Sequence, residues 1–129
     1  MSQRHRYRRK SDQHVVAVQL RLETDGFSYR KWGGDQFCKA GDWLVDNGGD
    51  IYTVDADSFA KTYKEVHQGV YVKNTPVWAE ATADHGRIAT KEGHTQHAKG
   101  DYLVFNNEDG TDGYAMSAEK FHSMYEPDD

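Results

Sequence analysis

The sequence predicts an α+β fold that is mostly β. It is read as two tandem homologous units, each a small antiparallel sheet followed by one short helix. Three observations predict this: an internal repeat, β-favouring runs that follow Gly-Asp pairs, and a cap-and-aromatic pattern closing each half. In the repeat, Ala40-Gly41-Asp42-Trp43-Leu44-Val45-Asp46-Asn47 matches Lys99-Gly100-Asp101-Tyr102-Leu103-Val104-Phe105-Asn106. After a turn, Tyr52, Ala56, Phe59 and Tyr63 match Tyr114, Ala118, Phe121 and Tyr125. The second copy carries three extra residues in its turn, which spaces the matches by 59 residues before it and 62 after it. Self-similarity at this spacing marks a duplicated supersecondary unit.

Each element has a local cause. Gly before Asp starts a turn, because Gly takes positive φ cheaply and Asp bonds its own backbone. Trp43-Leu44-Val45 and Tyr102-Leu103-Val104 are strand formers. The Gly- and Asn-rich turns suit hairpins, and the returning strands are 50–54 and 113–116. Asp55 and Ser117 stand where an N-cap belongs, with Asp57 and Glu119 in the first turn. Helices are expected over 56–65 and 118–125, with Phe59/Tyr63 and Phe121/Tyr125 as i,i+4 pairs on one face. Further strands are expected over 14–22, 27–32, 70–81 and 86–90. In the first of these, Val16, Val18, Leu20 and Leu22 alternate with Ala17, Gln19 and Arg21, which predicts the valines and leucines inside. The units are thus a basic arm at 1–13, a first unit at 14–66, a link at 67–69 and a second unit at 70–129. Each unit alone is small enough to have a marginal core, so the halves are expected to share one core or to pack closely.

Composition narrows the function classes. Aromatics make up 12% of the 129 residues, which argues against a disordered chain. No apolar run approaches the ~18 residues of a membrane span, and no signal-peptide h-region is seen. The single cysteine, Cys38, excludes an internal disulfide framework and points to a reducing compartment. Charge is uneven. Arg4, Arg6, Arg8, Arg9 and Lys10 occur in the first ten residues with no acid, so the rest of the chain is strongly acidic. A basic arm on an acidic body reads as a phosphate grip, as a solvated tail, or as a segment folded back on its own acids.

Arg6-Tyr7-Arg8-Arg9-Lys10, Ala17-Val18-Gln19, Gly41-Asp42-Trp43-Leu44-Val45, Tyr52 and Phe59 to Thr62-Tyr63 resemble a family of small phage and prophage proteins. That family carries a basic Tyr-Arg-Lys arm and a PGDYG-type domain, and the closing block recurs at Gly100 to Val104 and Phe121 to Tyr125. Two departures stand out: Ala40 and Lys99 replace the usual proline before Gly-Asp, and Ser11-Asp12-Gln13-His14 replaces the proline after the arm. The resemblance implies a phage accessory protein acting in the host bacterial cytoplasm. Such proteins often counter host defence, one strategy being a non-enzymatic sponge that sequesters a nucleotide-derived signal. By the same analogy a homo-oligomer is expected.

A catalytic set is not apparent. Cys38 lies beside Lys39, which favours thiolate, but no His partner is fixed by the sequence. His85, His94 and His97 with Asp84, Glu92 and Asp101 fit no strong zinc spacing, so neither a metal nor another cofactor is expected. Asp42 and Asp101 recur at one point of each unit, which favours a turn role over acid-base chemistry. The candidate ligand-binding residues are Arg8 and Arg9 of the arm, then Tyr29, Arg30, Lys31 and Trp32, where base and aromatic alternate. Trp78, Lys91 and His94 complete the set. Guanidinium and indole groups clamp phosphate and stack on bases, so the expected partner is a small anionic, nucleotide-like ligand. The alternatives are an acidic protein-interaction module that mimics nucleic acid, and a nucleic-acid binder working through the arm.

Overall fold

A computed structural model describes residues 4–128. Residues 1–3 of the expected arm, and residue 129, lie outside the described residues. The chain runs β1 (His5–Arg9), β2 (Val15–Gln19), β3 (Phe27–Lys31), β4 (Gly34–Cys38), β5 (Trp43–Asn47), β6 (Asp50–Val54), α1 (Ala56–Thr62), β7 (Tyr63–His67) and β8 (Val70–Lys73). It continues through β9 (Val77–Ala81), β10 (Gly86–Ala89), β11 (His94–His97), β12 (Tyr102–Phe105), β13 (Gly113–Met116), α2 (Ala118–Met124) and β14 (Tyr125–Pro127). The fold is mostly β with two short helices, as expected.

Two five-stranded antiparallel sheets carry the structure, in the orders β6-β5-β2-β8-β7 and β13-β12-β9-β1-β14. The orders correspond position by position, with β1 standing where β8 stands. The arm is therefore a strand of the second sheet over His5–Arg9, set between β9 and β14. The segment 67–69, expected to link two units, is the end of β7 and the turn of the β7–β8 hairpin, and β8 remains in the first sheet. The chain passes between sheets at 74–76, where Pro76 supplies no ladder N–H and restricts the residue before it. That is why the stretch expected as one strand over 70–81 divides in two.

Each helix docks on its own sheet. Asp55 accepts from the backbone N–H of Asp57 and Ser58, and Ser117 accepts from Lys120, so both expected caps are present. The helices stop earlier than expected, because Tyr63 and Tyr125 turn extended and start edge strands. One core gathers Val15, Ala17, Val45 and Phe59, and the other Val77, Ala79, Val104, Phe121, Met124 and Tyr125. Phe59 lies between the rings of Trp43 and Tyr63, at 4.1 and 4.5 Å, both nearly parallel. Phe121 lies likewise between Tyr102 and Tyr125, at 4.2 and 5.1 Å. Phe121 is fully buried, so Phe121→Ala is expected to cost about 3–5 kcal/mol in urea unfolding. A loss below about 1 kcal/mol would mean that the stack is not the core of this half.

The alternation along β2 has the opposite phase from the one expected. Val15 and Ala17 are buried, whereas Val16 and Val18 are each 56% exposed and Leu22 lies in the open. The inner face must leave room for the large rings of Phe59 and Trp43, so it takes the smaller side chains. The Gly-Asp signature is scaffolding. Asp42 is 1% exposed and accepts from the backbone N–H of Lys39 and Ala56, and Asp101 accepts from that of Ala98.

Two separate ribbons, β3–β4 and β10–β11, complete the fold. They join each other through the Gln36–Gly93 bridge and the N–H groups of Phe37 and Gln96, which donate to the carbonyls of Glu92 and Trp32. Among the described residues, no helix is long and apolar enough to cross a membrane.

Candidate functional site

The correspondence between the sheets sets the position of two buried cations. Arg9 closes β1 directly opposite Tyr125, and Lys73 closes β8 directly opposite Tyr63. Both point into a cavity of about 340 Å³ lined from both halves of the chain, at the small end of the volumes that hold ligands. Arg9 is 8% exposed and Lys73 7%.

Around these cations stand hydroxyls rather than carboxylates. Arg9 Nη2 donates to Tyr63 Oη at 3.2 Å and to Tyr125 Oη at 3.1 Å. Lys73 Nζ donates to Asn106 Oδ1 at 2.6 Å and to Tyr114 Oη at 3.1 Å. The Tyr114 and Tyr125 hydroxyls share a hydrogen bond of 2.9 Å. The guanidinium carbon of Arg9 lies 5.0 Å from the Tyr125 ring centre and 5.8 Å from that of Tyr63. Lys73 Nζ lies 5.3 Å from the Tyr114 ring centre. Among the described residues, neither cation forms an ion pair with a carboxylate. The two cations differ in one respect: Arg9 Nε and Nη1 are buried with no hydrogen-bond partner. Each buried donor left unmet costs about 1–3 kcal/mol.

The electrostatics follow from this placement. Burial opposes the Arg9 charge, but the surrounding tyrosines, Tyr125 first, outweigh it and hold the guanidinium protonated. Burial pushes the phenols of Tyr52 and Tyr114 up. Burial also pushes Tyr125 up, yet the charges of Arg9 and Lys73, with the hydrogen bonds from Tyr114 and Arg9, bring it down to about 7.

Ion pairs span the rim. Asp50 pairs with Lys31 at 2.8 Å and with Lys120 of α2. Asp112, at the matching position of the other half, accepts from Ser58 Oγ of α1 at 2.7 Å and lies 3.9 Å from Lys91. Trp32 lines the mouth beside Tyr52, ring centres 5.5 Å apart. Its φ of 56° is a conformation that bulky residues rarely hold.

The structure brings together part of the expected set. Arg9 and Trp32 line the cavity, and Lys31 and Lys91 reach its rim through Asp50 and Asp112. Tyr29 lies behind the lining, its hydroxyl 2.6 Å from Thr53 Oγ1. Four residues lie apart from the cavity. Arg8 points outward to Glu126 and Asp128, and Arg30 to Asp35. Trp78 stands on the face of β9 opposite buried Val77 and Ala79. His94 lies on β11, where its carbonyl accepts from Gln36.

Sequence reasoning missed Lys73, Tyr52, Tyr114, Asn47 and Asn106, and read Tyr63 and Tyr125 first of all as core partners of Phe59 and Phe121. A signal was available: the repeat duplicates a tyrosine hydroxyl at 52/114 and 63/125 and a side-chain amide at 47/106, and plain core packing needs neither. Neither Cys nor His occurs in the lining, and among the described residues no cluster of His, Cys, Asp and Glu is built to hold an ion. Cys38 is buried elsewhere, and burial first, then Asp42, pushes its thiol up. The chain thus has a tyrosine-lined cavity with two buried cations in its wall, on a two-sheet frame, and no family model, curated protein or solved structure matches it.

Proposed function

We propose that the protein binds a small anionic, nucleotide-like ligand in the central cavity and does so without chemistry. The observation that carries this reading is Arg9, a cation more than nine-tenths buried, with two nitrogens unpartnered and no carboxylate beside it. Such an arrangement is costly without a counter-charge, and an anion relieves it. Lys73 adds a second charge, and Trp32 with Tyr52 offers aromatic faces at the mouth. The phage-family resemblance extends the reading to sequestration of a nucleotide-derived signal of bacterial anti-phage defence.

The arm-mediated nucleic-acid reading draws little from the arm as folded. Arg9 is buried, while Arg6 and Arg8 are engaged by Asp128 and Glu126. Calorimetry against a panel of cyclic and ADP-ribose-type nucleotides tests the proposal. Saturable heat with at least one of them, with the nucleotide recovered unaltered, is expected; silence across the panel, or conversion of the nucleotide that binds, overturns it.

A further inference from the structure

Two cations stay buried in this cavity with phenols as their nearest ionisable neighbours. Arg9, on β1, faces Tyr125 of β14, Tyr63 of β7, Tyr114 of β13 and Tyr52 of β6. Lys73, on β8, bonds Tyr114. The hydrogen bonds run in one direction: Lys73 Nζ donates to Tyr114 Oη, and Arg9 Nη2 donates to Tyr125 Oη. If Tyr114 then donates across the 2.9 Å contact, the Tyr125 oxygen accepts from both sides. No other phenol in the cluster sits between the guanidinium and a second phenol in this way.

Resting on the reading of the cavity as an anion site, we infer that the Tyr125 phenolate is the resident counter-charge of Arg9 and that an incoming oxyanion takes its place. One proton from solvent closes the balance: phenolate becomes phenol, and the oxyanion in the cavity becomes the counter-charge of Arg9. Binding then consumes a proton wherever the phenolate is populated, above about pH 7. Below that value Tyr125 is already neutral and affinity is flat. Above it, affinity falls by about tenfold per pH unit, until the raised value of the bound state is reached.

Sulfate is a suitable probe, because its charge is constant over this range. Calorimetry at about pH 8 in two buffers of different ionisation enthalpy counts the protons. Near-ultraviolet absorbance reports tyrosinate directly and is blind to Asp50, Glu92 and Asp112 at the rim. The expected result is proton uptake, loss of one tyrosinate signal on adding sulfate, and abolition of both in Tyr125→Phe. The optical result stands on the unaltered protein even if that variant folds poorly. Sulfate binding with no proton uptake and no optical change overturns the counter-charge and leaves the anion site standing. No sulfate binding at any pH overturns both. A cyclic nucleoside phosphate, also of fixed charge, separates the sources of the oxyanion. Tighter binding than sulfate with the same proton uptake supports a nucleotide. Equal affinity keeps the counter-charge and overturns the nucleotide part of the reading.

Discussion

Arg9→Met is expected to remove anion binding while leaving the fold in place. Truncating a buried, charged hydrogen-bonding partner costs about 2–5 kcal/mol of binding, which is roughly thirtyfold to several thousandfold in affinity. Folding stability is expected to move the other way. The substitution removes a buried cation whose Nε and Nη1 have no partners and replaces it with an apolar chain of similar length. Replacing a whole buried ion pair by apolar groups is neutral or stabilising by about 1–4 kcal/mol, and this exchange approaches that case because Tyr125 takes up a proton once the guanidinium is gone. The Tyr63 and Tyr125 hydroxyls lose a donor, which places the expected gain at the low end. Calorimetry and urea unfolding on the same preparation read both effects. A large loss of stability with binding retained would show that Arg9 is structural. The variant also frees Tyr125 from the nearer positive charge, so its tyrosinate signal is expected only at higher pH.

The second large effect concerns the arm. Deleting residues 1–10 withdraws β1 from between β9 and β14, and with it the ladder bonds on both sides. It also removes the Lys10 N–H that donates to the Met124 carbonyl at the end of α2. What remains of the second sheet is β13-β12-β9 with a raw edge, and β14 has no partner. Exposed edges of this kind invite aggregation. The expected cost is about 5 kcal/mol or more, comparable to the whole stability of a small domain. Hydrogen exchange checks it by halves: protection is expected to vanish first over Tyr102–Phe105 and Ala118–Met124, and to persist over Trp43–Asn47. A truncated protein that unfolds like the full chain would mean that the arm is a tail.

These two effects share a residue whose environment sequence alone did not disclose. In the sequence Arg9 is one of five neighbouring bases and reads as part of a phosphate-gripping arm. In the structure it is the inward-facing end of a strand, while Arg6 and Arg8 on the same strand face outward to acids. Strand alternation predicts that such neighbours diverge, but it operates only once the segment is known to be a strand. That depends on β9 and β14, which lie far along the chain.

What the sequence determined by itself was local. The caps at Asp55 and Ser117, the Gly-Asp turns with their buried or bonded carboxylates, the strands that follow them, and the aromatic pair closing each half all arise from interactions within a few residues. Such contacts do not depend on how distant segments dock. The tertiary structure decided the rest. The inner face of β2 was chosen by the rings packed against it, not by the pattern of β2. The place of the arm was chosen by an edge that the second sheet leaves open beside β9. Arg9, in the cavity wall, bonds Tyr63 and Tyr125, which are 54 and 116 residues away in the chain. The Arg9–Tyr125 pair forms only when β1 docks beside β14, and the Arg9–Tyr63 pair only when the two sheets meet, so the charge they enclose has no signature in any short window of the sequence.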